Sequence, residues 1–255
     1  MQLADKVAIV TGGDSGIGQA ITLAMAREGA RVMIDYYGDV APADALVEQI
    51  ENFGGKATAF AADVSKPDEV DALVMETVRH FGGVDILVNN AGIEHKVAFL
   101  HTPFELYRKV IDINLTGVWL CSQRAALEMV KQKRGGRIIN ISSVHEELAM
   151  PTNAPYCASK GGVRMLMRTI AVELAEHGIT VNDVCPGAVD TPMDAKLKSN
   201  RDEYNRLLSE IPLRRMAKPE EIAGLCVFLS SAAGAYVTGA SYIIDGGLTK
   251  QSGSL

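Results

Sequence analysis

Tyr156-Cys157-Ala158-Ser159-Lys160 sets a phenol and an ammonium four residues apart. On a helix this spacing puts both side chains on one face, within reach of each other. A free phenol, with a pKa of about 10, is a poor base at neutral pH. Bringing it to about 7 takes roughly 4 kcal/mol, and a unit charge some 4 Å away at an effective dielectric near 20 supplies about that much. The pair can therefore work as a general acid and base. A Tyr and a Lys at this spacing also occur as plain surface neighbours, so the rest of the chain must decide between the two.

A second stretch with chemical potential is Thr11-Gly12-Gly13-Asp14-Ser15-Gly16-Ile17-Gly18, between a predicted strand and a predicted helix. Glycines there would let the backbone approach a pyrophosphate, and the helix N-terminus would offer it unpaired N–H groups and a positive dipole end. The spacing departs from G-x-G-x-x-G, and a structural turn without a ligand is the other reading. Two further groups stand near the same region of the pattern. Glu94 puts a carboxylate just past Asn89-Asn90-Ala91-Gly92, and His145 puts an imidazole two residues beyond Ser143.

The elements that would position these groups alternate between short β-branched runs and longer amphipathic stretches, the pattern of a parallel sheet with crossover helices. Strands are expected at 7–11, 31–36, 56–62, 85–89, 137–141, 179–185 and 241–245. Helices are expected at 16–28, 43–53, after Pro67, from about Thr102 to Lys133, at 156–176, around 202–210 and at 219–229. Leu46, Ile50 and Phe53 would face inward from the second helix, and Val70, Leu73, Val74, Val78 and Phe81 from the third. Ser65-Lys66-Pro67-Asp68 and Thr102-Pro103-Phe104-Glu105 read as helix starts of the capping-box kind. No linker or internal repeat divides the chain, so one doubly wound α/β domain over 1–255, with a seven-stranded, mainly parallel sheet, is the economical fold. The polar, irregular stretch 188–212 has the character of a lid, and 251–255 that of a disordered tail.

The composition sets bounds. No apolar run approaches a membrane span, and the N-terminus lacks the regions of a signal peptide, so a cytoplasmic protein is expected. Cys121, Cys157, Cys185 and Cys226 have no CxxC spacing, which indicates neither a disulfide framework nor a metal site; free, largely buried thiols are expected. A formal charge of −6 without a compact basic cluster argues against a nucleic-acid or anionic-membrane partner.

Four motifs in order, Thr11 to Gly18, Asn89-Asn90-Ala91-Gly92, Asn140-Ile141-Ser142-Ser143 and Tyr156-x3-Lys160, with Asn114 and Pro186-Gly187 also in place, make the whole chain resemble a short-chain dehydrogenase/reductase of the single-domain kind. The resemblance implies that Tyr156 exchanges a proton with the substrate oxygen while a hydride passes to or from a nicotinamide. Lys160 would lower the Tyr156 pKa and bind the nicotinamide ribose, Ser143 would hold and polarise the reacting oxygen, and Asn114 would sit at a helix distortion and position water in a relay to Lys160. Cofactor contacts are implied for Gly12, Asp14, Ser15, Gly16, Ile17, Gly18, Tyr36, Asp63, Val64, Asn90, Ala91, Gly92, Pro186, Gly187, Val189 and Thr191 as well as Tyr156 and Lys160. The family's discriminating acid falls where this chain has Tyr36, and strand alternation would turn Asp35 away from the ribose. No Arg or Lys occupies Ser15 or Tyr37, and Asp14 would repel a phosphate; NAD is favoured, with NADP open.

Glu94 and His145, with Ser143 and Tyr156, would suit a polyhydroxylated substrate, or the first two are solvated loop residues at the mouth of the cleft. Gly92-Ile93-Glu94, Ser143-Val144-His145-Glu146 and Asp190-Thr191-Pro192 resemble the bacterial glucose 1-dehydrogenases of the family. Within the enzyme class a 3-oxoacyl or general ketone reductase is the alternative, kept open by Arg124, Lys131, Lys133 and Arg134. A non-catalytic dinucleotide-binding protein would be marked by loss of Tyr156, Lys160 or Ser143, and all three are present. By resemblance alone the assembly would be a homotetramer.

Overall fold

The computed structural model describes residues 1–192, 197 and 199–250. Seven parallel strands, β1 (Val7–Val10), β2 (Arg31–Tyr36), β3 (Lys56–Ala61), β4 (Ile86–Asn89), β5 (Gly136–Ile141), β6 (Ile179–Pro186) and β7 (Ser241–Ile244), form one sheet in the order β3-β2-β1-β4-β5-β6-β7. Central strands are covered on both faces, which is why β1 and the first three residues of β4 read as unbroken apolar runs rather than alternating ones. Helices α1 (Gly16–Arg27), α2 (Ala41–Asn52) and α8 (Pro219–Ser230) cover one face, where Ile21, Met25, Leu46, Ile50, Ile222 and Cys226 pack on Val10 and Ile34. On the other face α3 (Pro67–Phe81), α5 (Gly117–Gln132) and α6 (Ala154–Glu173) bring Leu73, Val74, Ala125, Met129 and Met167 onto Ile9, Leu87 and Ile138. Burying each large side chain contributes about 1.5–3 kcal/mol, so the two layers hold the strand ends rigidly. Helix α4 (Phe104–Ile111) lies at the carboxyl end of the sheet, and α7 (Arg201–Glu210) follows β6 in the chain.

Several local expectations are corrected. The helical region from Thr102 to Lys133 divides into α4 and α5 at a five-residue π-helical turn, Asp112–Thr116, which contains Asn114, where a helix distortion was expected. Neither expected capping box forms: the residues flanking α3 and α4 are Lys66 and Pro103, without side-chain caps, and the Thr102 hydroxyl turns back to the Val97 and Ala98 carbonyls. Proline at the start of α3 sets φ for the helix and has no N–H to leave unpaired. Phe53 is exposed at the end of α2, whereas Leu46 and Ile50 are buried. Cys121, Cys185 and Cys226 are buried thiols and Cys157 is half-buried. Of the expected lid, 193–196 and 198 lie outside the described residues, as does the expected tail 251–255.

Candidate active site

The strand order reverses beside β1, whose neighbours β2 and β4 are followed by chain on opposite faces of the sheet; a crevice opens there at the carboxyl ends. The glycine turn fills its floor. Gly12 and Gly16 have φ of +55° and +52°, a region costly for side chains with a Cβ. A Cβ on Gly18 would overlap the Gly12 carbonyl oxygen and come within 2.5 Å of Asn90 Nδ2. This turn is laced to the one after β4. Asn90 Nδ2 donates to the Thr11 and Gly12 carbonyls at 3.0 and 2.9 Å, and Thr11 Oγ1 accepts from the Asn90 and Ala91 amides at 2.9 and 3.0 Å. Ser15 precedes α1 without a side-chain cap, so the first-turn amides face the crevice available to an anion.

Above the turn lies a cleft of about 760 Å³ lined by Gly12, Asp14, Ser15, Asp35, Tyr37, Asp63, Val64, Ala91 and Gly92, with Lys66, Arg108 and Lys109 on its rim. Its size and its floor of open amides fit a dinucleotide. The Tyr36 side chain packs against the α1 and α2 face of the core, and its two neighbours Asp35 and Tyr37 line the cleft. Asp35 Oδ2 accepts from the Gly12 amide at 3.2 Å, while Oδ1 is buried without a partner. Burial pushes this carboxyl well up, against the pull of the Gly12 amide. Asp63 is held in a local turn by the Ser65 amide and hydroxyl at 2.9 and 2.6 Å. Ile17 faces the core, and Val189 is buried and bridges Ala217 through its backbone. Gly187 lies close against Asp245, where a Cβ would come within 2.9 Å of that residue's Cα, and Thr191 approaches Gly16.

Four groups converge beyond β4, β5 and β6. Asn114, at the centre of the π-helical turn, is fully buried. Its Oδ1 accepts from the Ile93 amide at 2.8 Å, and its Nδ2 donates to the Ile93 carbonyl at 2.9 Å and to Ser159 Oγ at 3.3 Å. It therefore ties the loop after β4 to α6. Ser143, just past β5, lies beside the Tyr156 hydroxyl and accepts from the His145 amide at 3.1 Å. Lys160 Nζ donates to the Ile141 carbonyl at 2.7 Å and stands 5.6 Å from the centroid of the Tyr156 ring. The electrostatics differ from the sequence expectation. Burial pushes Tyr156 up to about 12, with the Ser143 hydrogen bond opposing and the Glu94 carboxylate adding to the rise. Burial pulls Lys160 down to about 8, and Asp183 opposes that shift. Burial therefore sets the direction of the Tyr156 shift, with the Ser143 side chain opposing it.

Glu94 and His145 both border this point. Glu94 Oε1 accepts from Asn153 Nδ2 at 2.9 Å and lies 3.8 Å from Lys96 Nζ. The His145 ring stands edge-on to Tyr156, 6.4 Å between centroids, with Nδ1 3.1 Å from the Leu148 carbonyl. Asn153, at the head of α6 and fully buried, was not among the residues singled out in the sequence. No motif marks it; its position three residues before Tyr156 is the only available signal.

The profile of the family described as enoyl-(acyl carrier protein) reductase matches residues 12–249. Glucose 1-dehydrogenase 2 of Bacillus subtilis (strain 168) is 39% identical over 248 residues, covering 97% of this chain and 96% of the relative. The 3-oxoacyl-[acyl-carrier-protein] reductase of Synechocystis sp. is 44% identical over 247 residues, covering 96% and 98%. Among solved structures, a short-chain type dehydrogenase/reductase from Mycobacterium marinum superposes with a TM-score of 0.93 at 38% identity, covering 98% of both chains. The chain belongs to the short-chain dehydrogenase/reductase family. It is an NAD(P)-dependent oxidoreductase acting on alcohol and carbonyl groups, and among the described residues no helix is long and apolar enough to cross a membrane. As a short-chain dehydrogenase/reductase it has relatives whose names divide between sugar oxidation and oxoacyl reduction, so the substrate must be argued from the pocket.

Proposed function

We propose that this oxidoreductase acts on a polyhydroxylated secondary alcohol or hemiacetal, an aldose or polyol, in the manner of a glucose 1-dehydrogenase. The observation that carries the reading is the Glu94–Asn153 pair beside Tyr156, a carboxylate acceptor within the space a substrate bound at Ser143 would occupy. A carboxylate there accepts hydrogen bonds from neighbouring hydroxyls, and His145 adds an imidazole edge-on to Tyr156. Ser143 orients the reacting oxygen, and Tyr156 takes its proton on oxidation or gives one on reduction. Lys160 supplies positive charge behind the phenol. The nicotinamide, when bound, takes up or gives the hydride, so the C–H and O–H bonds of the alcohol break as a C=O forms.

Asp14 and Asp63 border the cleft, and their charges would oppose a 2′-phosphate; this supports NAD over NADP. Trp119 and Leu127 on α5 and Met165 and Val172 on α6 are exposed apolar side chains, which supports assembly through these helices; the reading includes a homotetramer acting in the cytoplasm. The second reading is ketone or 3-oxoacyl reduction, favoured by a Tyr156 held protonated and ready to donate. Docking of an acidic carrier protein has less support. Arg124, Lys131 and Arg134 pair with Asp71, Glu128 and Asp85, and the C-terminal end of α5 lies at the amino ends of the strands, opposite the site. A spectrophotometric screen of aldoses, polyols and ketones with both cofactors tests the reading. Turnover of polyols with NAD, with KM raised about tenfold or more in Glu94→Ala, is expected; activity confined to apolar ketones would overturn it.

A further inference from the structure

Tyr156, Lys160 and Arg164 follow one another at intervals of four along α6, so one face of that helix carries the phenol, the ammonium and a guanidinium. The first two belong to the site described above, and Arg164 does not. It meets the turn that follows β5. Arg164 Nη2 pairs with Glu147 Oε1, and Arg164 Nε stands 3.6 Å from Glu146 Oε1. The Glu146 side chain is only 2% exposed, a place where a carboxylate is costly unless a positive charge faces it. The helix backbone also comes close here: a Cβ on Gly161 would stand 3.8 Å from the Glu146 carbonyl oxygen.

The turn is one hydrogen-bonded unit that carries two groups of the site. The His145 amide donates to Ser143 Oγ and the Glu146 amide to the Ser143 carbonyl, both at 3.1 Å. The Glu147 and Leu148 amides donate to the Val144 carbonyl at 3.2 and 3.0 Å. Whatever fixes Glu146 and Glu147 therefore fixes Ser143 and His145. On its strand side the unit is held by the sheet, where the Ser142 amide donates to the Val184 carbonyl at 2.8 Å. On its far side the tie to α6 is Arg164. We propose that Arg164 is a positioning residue, whose guanidinium spans Glu146 and Glu147 and clamps the turn bearing Ser143 and His145 onto the helix bearing Tyr156 and Lys160.

The residue type suits the task. A guanidinium presents Nε and Nη2 in one rigid plane and can face two carboxylates at once, whereas an ammonium on a flexible stem is a single point of charge. Ion pairs on the surface contribute little, but here one carboxylate is buried and the guanidinium is half-buried, so the geometry is held. Ser143 must meet the reacting oxygen beside the Tyr156 hydroxyl, and a misplacement of about 1 Å costs on the order of 10²-fold in rate. A clamp between the turn and α6 sets that spacing without touching the substrate.

The inference deepens the proposed function and rests on Ser143 holding the reacting oxygen, so one arm of its test needs no substrate. Peptide-resolved hydrogen exchange on the free enzyme should show the amides of 144–148 exchanging about tenfold faster or more in Arg164→Met, with β5 unchanged. Removing one partner of a buried pair can unfold a protein, so Glu146→Gln combined with Arg164→Met, which leaves no buried charge behind, is measured beside it and should behave alike. The second arm is a double-mutant cycle with the substrate of highest turnover in the screen above. Arg164→Met should lower kcat about 10- to 100-fold in the wild-type background and less than about twofold in Ser143→Ala, with NADH binding unchanged in both. Unaltered exchange at 144–148, or equal losses of kcat in the two backgrounds, would overturn the inference and leave Arg164 a residue of the fold alone. Full activity in Ser143→Ala would remove the catalytic reading, and the inference with it, even where exchange shows the clamp; the two failures are thereby told apart.

Discussion

Tyr156 and Lys160 share one helix face, as their spacing allows, but the ammonium is not the strongest influence on the phenol. Desolvation is, and it pushes Tyr156 up while Ser143 pulls back. The site therefore presents a proton donor, and reduction of a carbonyl needs no prior ionisation of the phenol. Oxidation requires the phenolate, so oxidation rates should climb with pH where reduction rates do not; parallel profiles in the two directions would contradict this assignment. Asp183 gives a second pH effect whose sign follows from linkage. Its folded-state pKa, about 8, lies above the ordinary value of 3.8, so the native state keeps a proton that the unfolded chain has lost. The contribution to stability is complete below about pH 4 and is lost as pH rises towards 8. Urea unfolding should accordingly show wild type losing stability relative to Asp183→Asn across that window, by up to about 1.4 kcal/mol per pH unit. A pH-independent difference would mean the carboxyl is not shifted.

At the scale of elements, the site is built from interruptions. The glycine turn before α1, the π-helical turn between α4 and α5 and the short turn after β5 each take the chain off regular geometry where a functional group must face the crevice. At Asn114 the resemblance to the family, rather than the local residue pattern, pointed to such a distortion. Periodicity alone reads a Thr-Pro start followed by good helix formers as one continuous helix; the contacts that accompany the break, the Asn114 amide with Ile93 and Ser159, come from far away in sequence. Asp35 and Tyr36 carry the same lesson. Alternation correctly put them on opposite faces, but which face meets the cleft depends on the register of β2 against β1 and on the Gly12 amide. The glycine turn, by contrast, was legible because its constraint is local. Gly18→Ala would drive a methyl into the Gly12 carbonyl and the Asn90 amide. A loss of about 1–3 kcal/mol of stability is expected in denaturant melts, with weakened NADH binding by fluorescence; an unperturbed melt and unchanged binding would contradict the close approach.

For the whole molecule, the sheet order and the two helical layers follow from alternating short apolar runs and amphipathic stretches, a pattern dense enough to read without contacts. What was not legible is what depends on distant partners: the buried ladder through Asn89, Asn140 and Asp183, and Asn153 holding Glu94. These are polar residues within strands or at a helix head, where composition gives no hint of a partner. The exposed apolar side chains of α5 and α6 belong to this scale as well. Light scattering should return about four times the chain mass of 27.3 kDa, and a monomer would contradict assembly through those helices. The measurement that reaches the central claim most directly is hydride transfer by Tyr156→Phe, followed at 340 nm with the polyol and cofactor selected by the screen, alongside NADH binding to the same variant. Removing the proton-exchanging group should lower kcat by about 10²- to 10⁴-fold while NADH still binds. Wild-type turnover in a variant that binds NADH normally would contradict the assignment of Tyr156 as the acid and base.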